Sequence, residues 1–199
     1  MTTPATATGV LETPRLRLRG FTDTEADARL LFELDSDPEV MRYIGPFGLP
    51  SVEAARERLR TVWLPYYAPH AGRGFWAVVE KATGEFAGWI FARPAPAHRY
   101  ADVIGWTRPT DLELGYRLRR VAWGRGLATE AAAELVRLSL ADPAVTCVVA
   151  TALVTNRGST RVMKKVGMAR VRECLLPPET GFTDPLVIYA RCRDGCSPT

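Results

Sequence analysis

The sequence predicts an α+β fold with a mixed central sheet, in the order β–α–α–β–β–β–α–β–α–β–β. Three observations carry this. Apolar runs of strand length recur along the chain. Two segments with helically spaced apolar residues follow such runs directly, and turn residues separate the two kinds. The 199 residues are 47% hydrophobic and 24% charged, which excludes a collagen, a coiled coil or a disordered chain. One domain is expected over residues 10–192, with a disordered tail at 1–9 and a short tail at 193–199. No run approaches the roughly 18 to 20 apolar residues of a membrane helix. No signal-peptide pattern is visible, so a cytoplasmic location is expected.

Arg15-Leu16-Arg17-Leu18-Arg19 alternates at the period of a half-buried strand. Thr22 or Asp23 is expected to cap a helix reaching about Leu34, and Ser51 opens another to about Trp63. GFWAVVE (74–80) and EFAGWIF (85–91), joined by Lys81-Ala82-Thr83-Gly84, read as a hairpin. Residues 92–110, rich in Pro, Ala, Arg and His, read as a long loop. LELGYRL (112–118) is the next strand. After Trp123-Gly124-Arg125-Gly126, Leu127, Ala131, Leu135 and Leu138 form one helical face that ends before Asp142-Pro143. Thr146 to Leu153 is a strand. A shorter helix follows from Asn156 to Gly167, with Val162, Met163 and Val166 inward. Val171 to Leu176 and Leu186 to Arg191 are the last strands, joined by residues 177–185.

The formal net charge of +4 hides a division. Residues 115–125 and 156–172 together carry +10 with no acid, while residues 21–40 carry −6. Cys147 and Cys174 lie in apolar runs and read as small buried hydrophobes. Cys192 and Cys196 are too far apart for a CxxC pair, and no ligand spacing suggests a metal. His70 and His98 fall in loops and read as structural or solvated, which leaves a Ser-His-Asp mechanism little to work with.

The chemistry-bearing feature is strand, then Gly124-x-Gly126, then helix. Glycines let the backbone approach a ligand closely, and the helix start offers unpaired N–H groups and a positive dipole end. Together these suit a phosphate or pyrophosphate. A P-loop is absent. A Rossmann fingerprint fails because three strands and two helices come first.

These residues resemble a known family. Glu113-Leu-Gly-Tyr-Arg-Leu followed by Trp123-Gly-Arg-Gly-Leu-Ala-Thr-Glu-Ala131 resembles motif A of the GNAT acetyltransferase superfamily, more closely its RimJ/RimL-like branch. Asn156-Arg-Gly-Ser159 through Lys165-Val-Gly-Met168 is similar to that branch, as are Thr13 to Arg19 and Phe75-Trp-Ala-Val. The resemblance covers about residues 11–192 and implies a GNAT-like fold.

The resemblance implies acetyl-CoA as cosubstrate, with no metal. The pyrophosphate would fall on the backbone amides of Val121, Gly124, Arg125, Gly126, Leu127, Ala128 and Thr129, and pantetheine along the strand ending near Leu118. Val121 stands where the family often has Gln or Arg, but the backbone grip does not need that side chain. Arg125, Arg161 and Lys164 are then donors for the 3′-phosphate. Glu113 is the expected base for the attacking amine, set against a strand-edge glutamate paired with an Arg. A backbone N–H near Leu118 is the expected oxyanion donor. Met163 stands where many relatives carry a Tyr acid. Ser159 or water is left to serve the departing thiolate, and Ser159 reads equally as a helix cap. Asn156 belongs to the site as the residue shaping the strand-to-helix turn.

The expected activity is acetyl transfer to a primary amine, on a protein N-terminus or a small molecule, by direct attack. The alternative is a non-catalytic acyl-CoA-binding or regulatory module. Nucleic acid is not an expected partner, because only Tyr116 and Trp123 interleave the basic runs. No membrane partner is expected. In the family the acceptor sits between the first two helices and the last strand-to-strand loop, here about residues 22–66 and 177–185. The acidic stretch 21–40 would suit a cationic acceptor, or form a solvated face.

Overall fold

The computed structural model describes residues 9–45, 48–67 and 73–197. The expected N-terminal tail lies outside these residues except for Gly9, as does His70. The chain divides into two compact units, one reaching Phe91 and including Tyr116–Leu127, the other formed by Ala92–Gly115 and Ala128 onward.

In the first unit, β1 (Leu11–Glu12) pairs antiparallel with β2 (Leu16–Gly20), and β2 with β3 (Gly74–Glu80). The alternation read at Arg15–Arg19 is real. Leu16 and Leu18 are fully buried, and Arg17 is exposed. β4 (Phe86–Pro94) follows β3 through a turn closed by Glu80 N–H to Glu85 O at 2.9 Å.

Helix α1 (Glu25–Asp35) is capped by Thr24, not by Thr22 or Asp23. Asp27 decides this. Its carboxylate takes the Thr22 N–H (2.7 Å) and hydroxyl (2.8 Å), leaving Thr24 to accept from the Asp27 N–H. The short α2 (Pro38–Met41) follows. Ser51 caps α3 (Val52–Arg58) by accepting the Ala54 N–H at 3.2 Å. The helix runs on through a π-helical turn, Leu59–Trp63, into α4 (Leu64–Tyr67). The core joins Ala28, Leu31 and Leu34 of α1 to aromatic rings. Trp63 stacks on Phe75 at 4.2 Å and meets Trp89 edge-on at 5.6 Å.

In the second unit, residues 92–110 are not the long loop expected. β4 runs to Pro94, a 3₁₀ turn spans Ala95–Ala97, and α5 covers Ala101–Ile104. Ile104 and Trp106 bury almost completely, which gives this short segment its anchor. β5 (Leu112–Leu118) lies parallel to β6 (Cys147–Leu153), with Glu113 opposite Val149. β6 pairs antiparallel with β8 (Leu186–Cys192), and β8 with β7 (Ala169–Cys174). α6 (Leu127–Ala141) buries Ala131, Ala132, Leu135 and Val136, and α7 (Arg157–Lys165) buries Met163. The eight strands form a mixed sheet in the order β1-β2-β3-β4-β5-β6-β8-β7, with β4 and β5 running through both units.

Cys147 is not a lone hydrophobe. It lies opposite Cys192 in the β6/β8 register and is bonded to it. Cys174 is partly buried and reduced.

Candidate active site

Glu113 is a carboxylate on an interior strand and is 6% exposed. A buried charge needs partners. The chain supplies Arg93, from the end of β4, whose Nε donates to Glu113 Oε2 at 2.7 Å. His98 stands on the other side, with Nε2 3.9 Å from Oε1. The 3₁₀ turn Ala95–Ala97 delivers it, and His98 N–H donates to Ala95 O at 3.0 Å.

The histidine's state follows from its contacts. Its Nδ1 accepts the Tyr100 N–H at 3.0 Å, so the neutral ring carries its proton on Nε2, the nitrogen nearer Glu113. Burial lowers its pKa below the usual value of 6.5, against the raising pull of Glu113. The ring packs edge-on against Trp106 at 5.2 Å. The solvated reading of His98 is thus corrected, since its side chain is 14% exposed. Nothing local in the sequence marks it. The signal is the fold of β4 beside β5.

The expected phosphate loop has the backbone its sequence implied. Gly124 and Gly126 have φ of +73° and +79°, values that favour glycine. Trp123 Nε1–H donates to Leu118 O at 2.7 Å, folding the loop back on its strand. Residues 123–126 are exposed, while Leu127 is buried and anchors the helix start. Ala128 and Thr129 follow in the first turn of α6, where N–H groups lack intrahelical acceptors. Val121 is 72% exposed.

Arg125 makes a contact that its sequence did not announce. Its guanidinium forks onto Glu80 at the end of β3, with Nη1 2.7 Å from Oε1 and Nη2 2.5 Å from Oε2. Its carbonyl accepts Arg15 Nη1–H at 2.9 Å. Both contacts tie the loop to the first unit. A guanidinium whose two terminal nitrogens are both engaged by one carboxylate clamps the loop.

On α7, Asn156 is the cap, its Oδ1 accepting the Ser159 N–H at 3.1 Å. The capping alternative for Ser159 therefore passes to Asn156. Arg161 and Lys164 line a different helix face, on a cavity shared with Arg157 and with Arg170 of β7.

The acidic stretch is not an open anionic face. Six of its seven acids are ion-paired. Asp23 meets Arg56 and Arg60, Asp27 meets Arg19, Asp35 meets Arg117, and Asp37 meets Arg120 at 2.7 Å. Glu25 pairs with Arg29 within α1, and Glu39 with Arg42, the residue that follows α2. Among the described residues, no group of three His, Cys, Asp or Glu could hold a metal ion, and no helix is long and apolar enough to cross a membrane.

The acetyltransferase (GNAT) domain family matches residues 15–169. An Aspergillus fumigatus relative, FsC-acetyl coenzyme A-N(2)-transacetylase, is 33% identical over 166 residues, which is 81% of this chain and 68% of its own. The uncharacterized N-acetyltransferase YoaA of Bacillus subtilis is 30% identical over 162 residues, covering 81% and 83%. A GNAT-family acetyltransferase from Bacillus anthracis superposes with a TM-score of 0.69 at 24% identity, covering 92% of this chain and 98% of that one. The aminoglycoside acetyltransferase AAC(6′)-Ib in complex with coenzyme A gives 0.65 at 21%, covering 89% and 94%. At such identities the likeness shows the fold. With the family spanning most of the chain and two relatives at 30% or above, this protein belongs to the GNAT family and is an N-acetyltransferase.

Proposed function

We propose that the protein transfers the acetyl group of acetyl-CoA directly to a primary amine, with Glu113 as general base, and that it falls in the RimJ/RimL-like branch. The observation that carries this is the buried Glu113, held by Arg93 on one oxygen and faced by neutral His98 on the other. Residues 10–192 act as one acetyltransferase domain, since the family match runs through both units.

The residues divide the work. The amides of Val121 and Gly124 to Thr129 receive the pyrophosphate, with Arg125 and Glu80 holding the loop in shape. Pantetheine follows the end of β5, and a peptide N–H near Leu118 takes the thioester oxygen as charge builds on it. An amine is mostly protonated near neutral pH, with a pKa of about 8 for an α-amino group and about 10.4 for Lys. Glu113 takes its proton at Oε1, the oxygen that faces His98. The nitrogen attacks the thioester carbon, the C–S bond breaks, and the second proton that the nitrogen sheds passes through Ser159 or water to the thiolate.

The acceptor is an amine on a protein N-terminus or a small molecule. The A. fumigatus relative is named as an acetyl coenzyme A-N(2)-transacetylase, which fits transfer to nitrogen. Ion pairing of the acidic stretch withdraws the argument for a cationic acceptor.

A screen of small amines and N-terminal peptides for CoA release tests the proposal. Release with at least one amine, with the acetyl group found on nitrogen, is expected. Acetyl-CoA binding without transfer to any amine would leave the acyl-CoA-binding module as the reading.

A further inference from the structure

A cavity of about 490 Å³ in the second unit is not used by the acetyl-transfer chemistry. Arg157, Arg161 and Lys164 of α7 line one side; Arg170 and Glu173 of β7 and Tyr189 of β8 line the others. Arg157, Arg161 and Lys164 follow the i, i+4, i+7 spacing of one helix face.

The charges there are arranged against the helix's own stability. Like charges at i, i+4 cost an isolated helix about 0.2–0.5 kcal/mol per pair. Arg157 places a cation in the first turn, at the positive end of the helix dipole. Elsewhere the chain relieves such charges: Arg29 on α1 pairs with Glu25, and Arg137 on α6 with Glu134. Helix α7 contains no acid, and among the described residues Arg157, Arg161 and Lys164 make no ion pair. The single carboxylate of the cavity, Glu173, is held by Arg170. Three cations without counter-charge therefore line a concave surface, which concentrates their field.

We infer that this cavity binds a small, multiply charged phosphate anion, at a site separate from the acetyl-CoA donor. The separation follows from the helix. At about 100° per residue, these cations lie roughly 140–160° around α7 from Ser159, which the proposed function places, with water, at the donor's thiolate. The small size follows from the cavity volume. Tyr189 is 3% exposed and offers no stacking face, so a nucleic-acid strand does not fit.

The test is titration of inorganic pyrophosphate into the full chain by calorimetry, with and without saturating acetyl-CoA. The wild type is expected to bind, with an affinity that saturating acetyl-CoA leaves unchanged. Arg161→Gln with Lys164→Gln should weaken binding about tenfold or more, as removal of two charge-assisted donors would. Lys165→Gln removes one charge from the same helix outside the cavity and should change affinity less than about twofold. Three results would overturn the inference: no binding, equal weakening per charge by Lys165→Gln, or displacement by acetyl-CoA, which would return these cations to the donor site.

Discussion

Replacing Glu113 by Gln separates chemistry from packing at this site. Gln has the shape of Glu and keeps an oxygen for Arg93 Nε, now 2.7 Å from Oε2. It cannot take a proton. A positioned general base typically contributes 10²–10⁴-fold, so kcat/KM should fall by about 10²–10³, or roughly 2.7–4 kcal/mol of transition-state stabilisation. The fold should suffer less. Removing one partner of a buried pair costs about 3–5 kcal/mol when a bare charge is left. Here the Arg93 side chain is 23% exposed and retains an amide acceptor, which reduces the cost to about 1–2 kcal/mol. The assay is steady-state CoA release with an amine that the wild type accepts, alongside direct measurement of acetyl-CoA binding and a denaturant melt. Unchanged acetyl-CoA affinity with collapsed turnover is expected. A variant that binds acetyl-CoA and turns over within about threefold of wild type would refute the base assignment. Glu113 would then be a structural partner of Arg93.

His98→Gln should alter the acid limb of stability. Burial lowers the folded pKa of His98, so as pH falls the unfolded chain is protonated first, beginning near 6.5. Its contribution is fully present above that pH and is lost as pH falls toward the folded pKa; the variant should show a flatter melting profile there, and an unchanged profile would contradict the assignment. Gly88→Ala should destabilise by about 2–4 kcal/mol, judged from overpacking against fixed backbone. At φ +146° its Cβ would lie 2.2 Å from Arg117 O and 2.6 Å from Leu118 Cα, so a loss below about 1 kcal/mol in chemical denaturation would show that the strands can part there. Arg125→Ala and Glu80→Ala should both raise the KM for acetyl-CoA with little change in kcat, because each releases the loop. Tighter binding by Glu80→Ala would instead mean that a freed Arg125 grips phosphate directly.

What the sequence revealed was what local spacing controls. Leu16 and Leu18 announce a strand, Leu127, Ala131 and Leu135 a helix, and Gly124 and Gly126 a turn with positive φ. The site was legible as far as one strand, one loop and one cap. What stayed hidden depends on chain closure. Arg93 and Glu113 are 20 residues apart, Glu80 and Arg125 are 45, and Cys147 and Cys192 are 45. No period reports such pairs. His98, open between a structural and a solvated reading, is buried because its loop is folded into a turn and a short helix, anchored by Ile104 and Trp106.

The charge pattern shows the same limit and leads to a physical consequence. Segment sums made 21–40 an acidic lobe and 115–125 a basic one, as if each faced a separate ligand. They face each other: Asp35 pairs with Arg117, and Asp37 with Arg120. Asp35 is 4% exposed, and a carboxylate at that depth requires a cation; Arg117 meets it and also lies 4.9 Å over the Trp89 ring. Much of the apparent ligand-binding charge is therefore spent inside the fold. The open cations of α7 lie in the other basic segment, and the acid among the described residues lining their cavity, Glu173, is already taken by Arg170. Salt separates the two classes. At 0.15 M the screening length is about 8 Å, which weakens exposed charges far more than a buried pair. Ionic strength thus acts on the anion affinity of α7 while the Asp35–Arg117 contact, and the strand end it supports, holds.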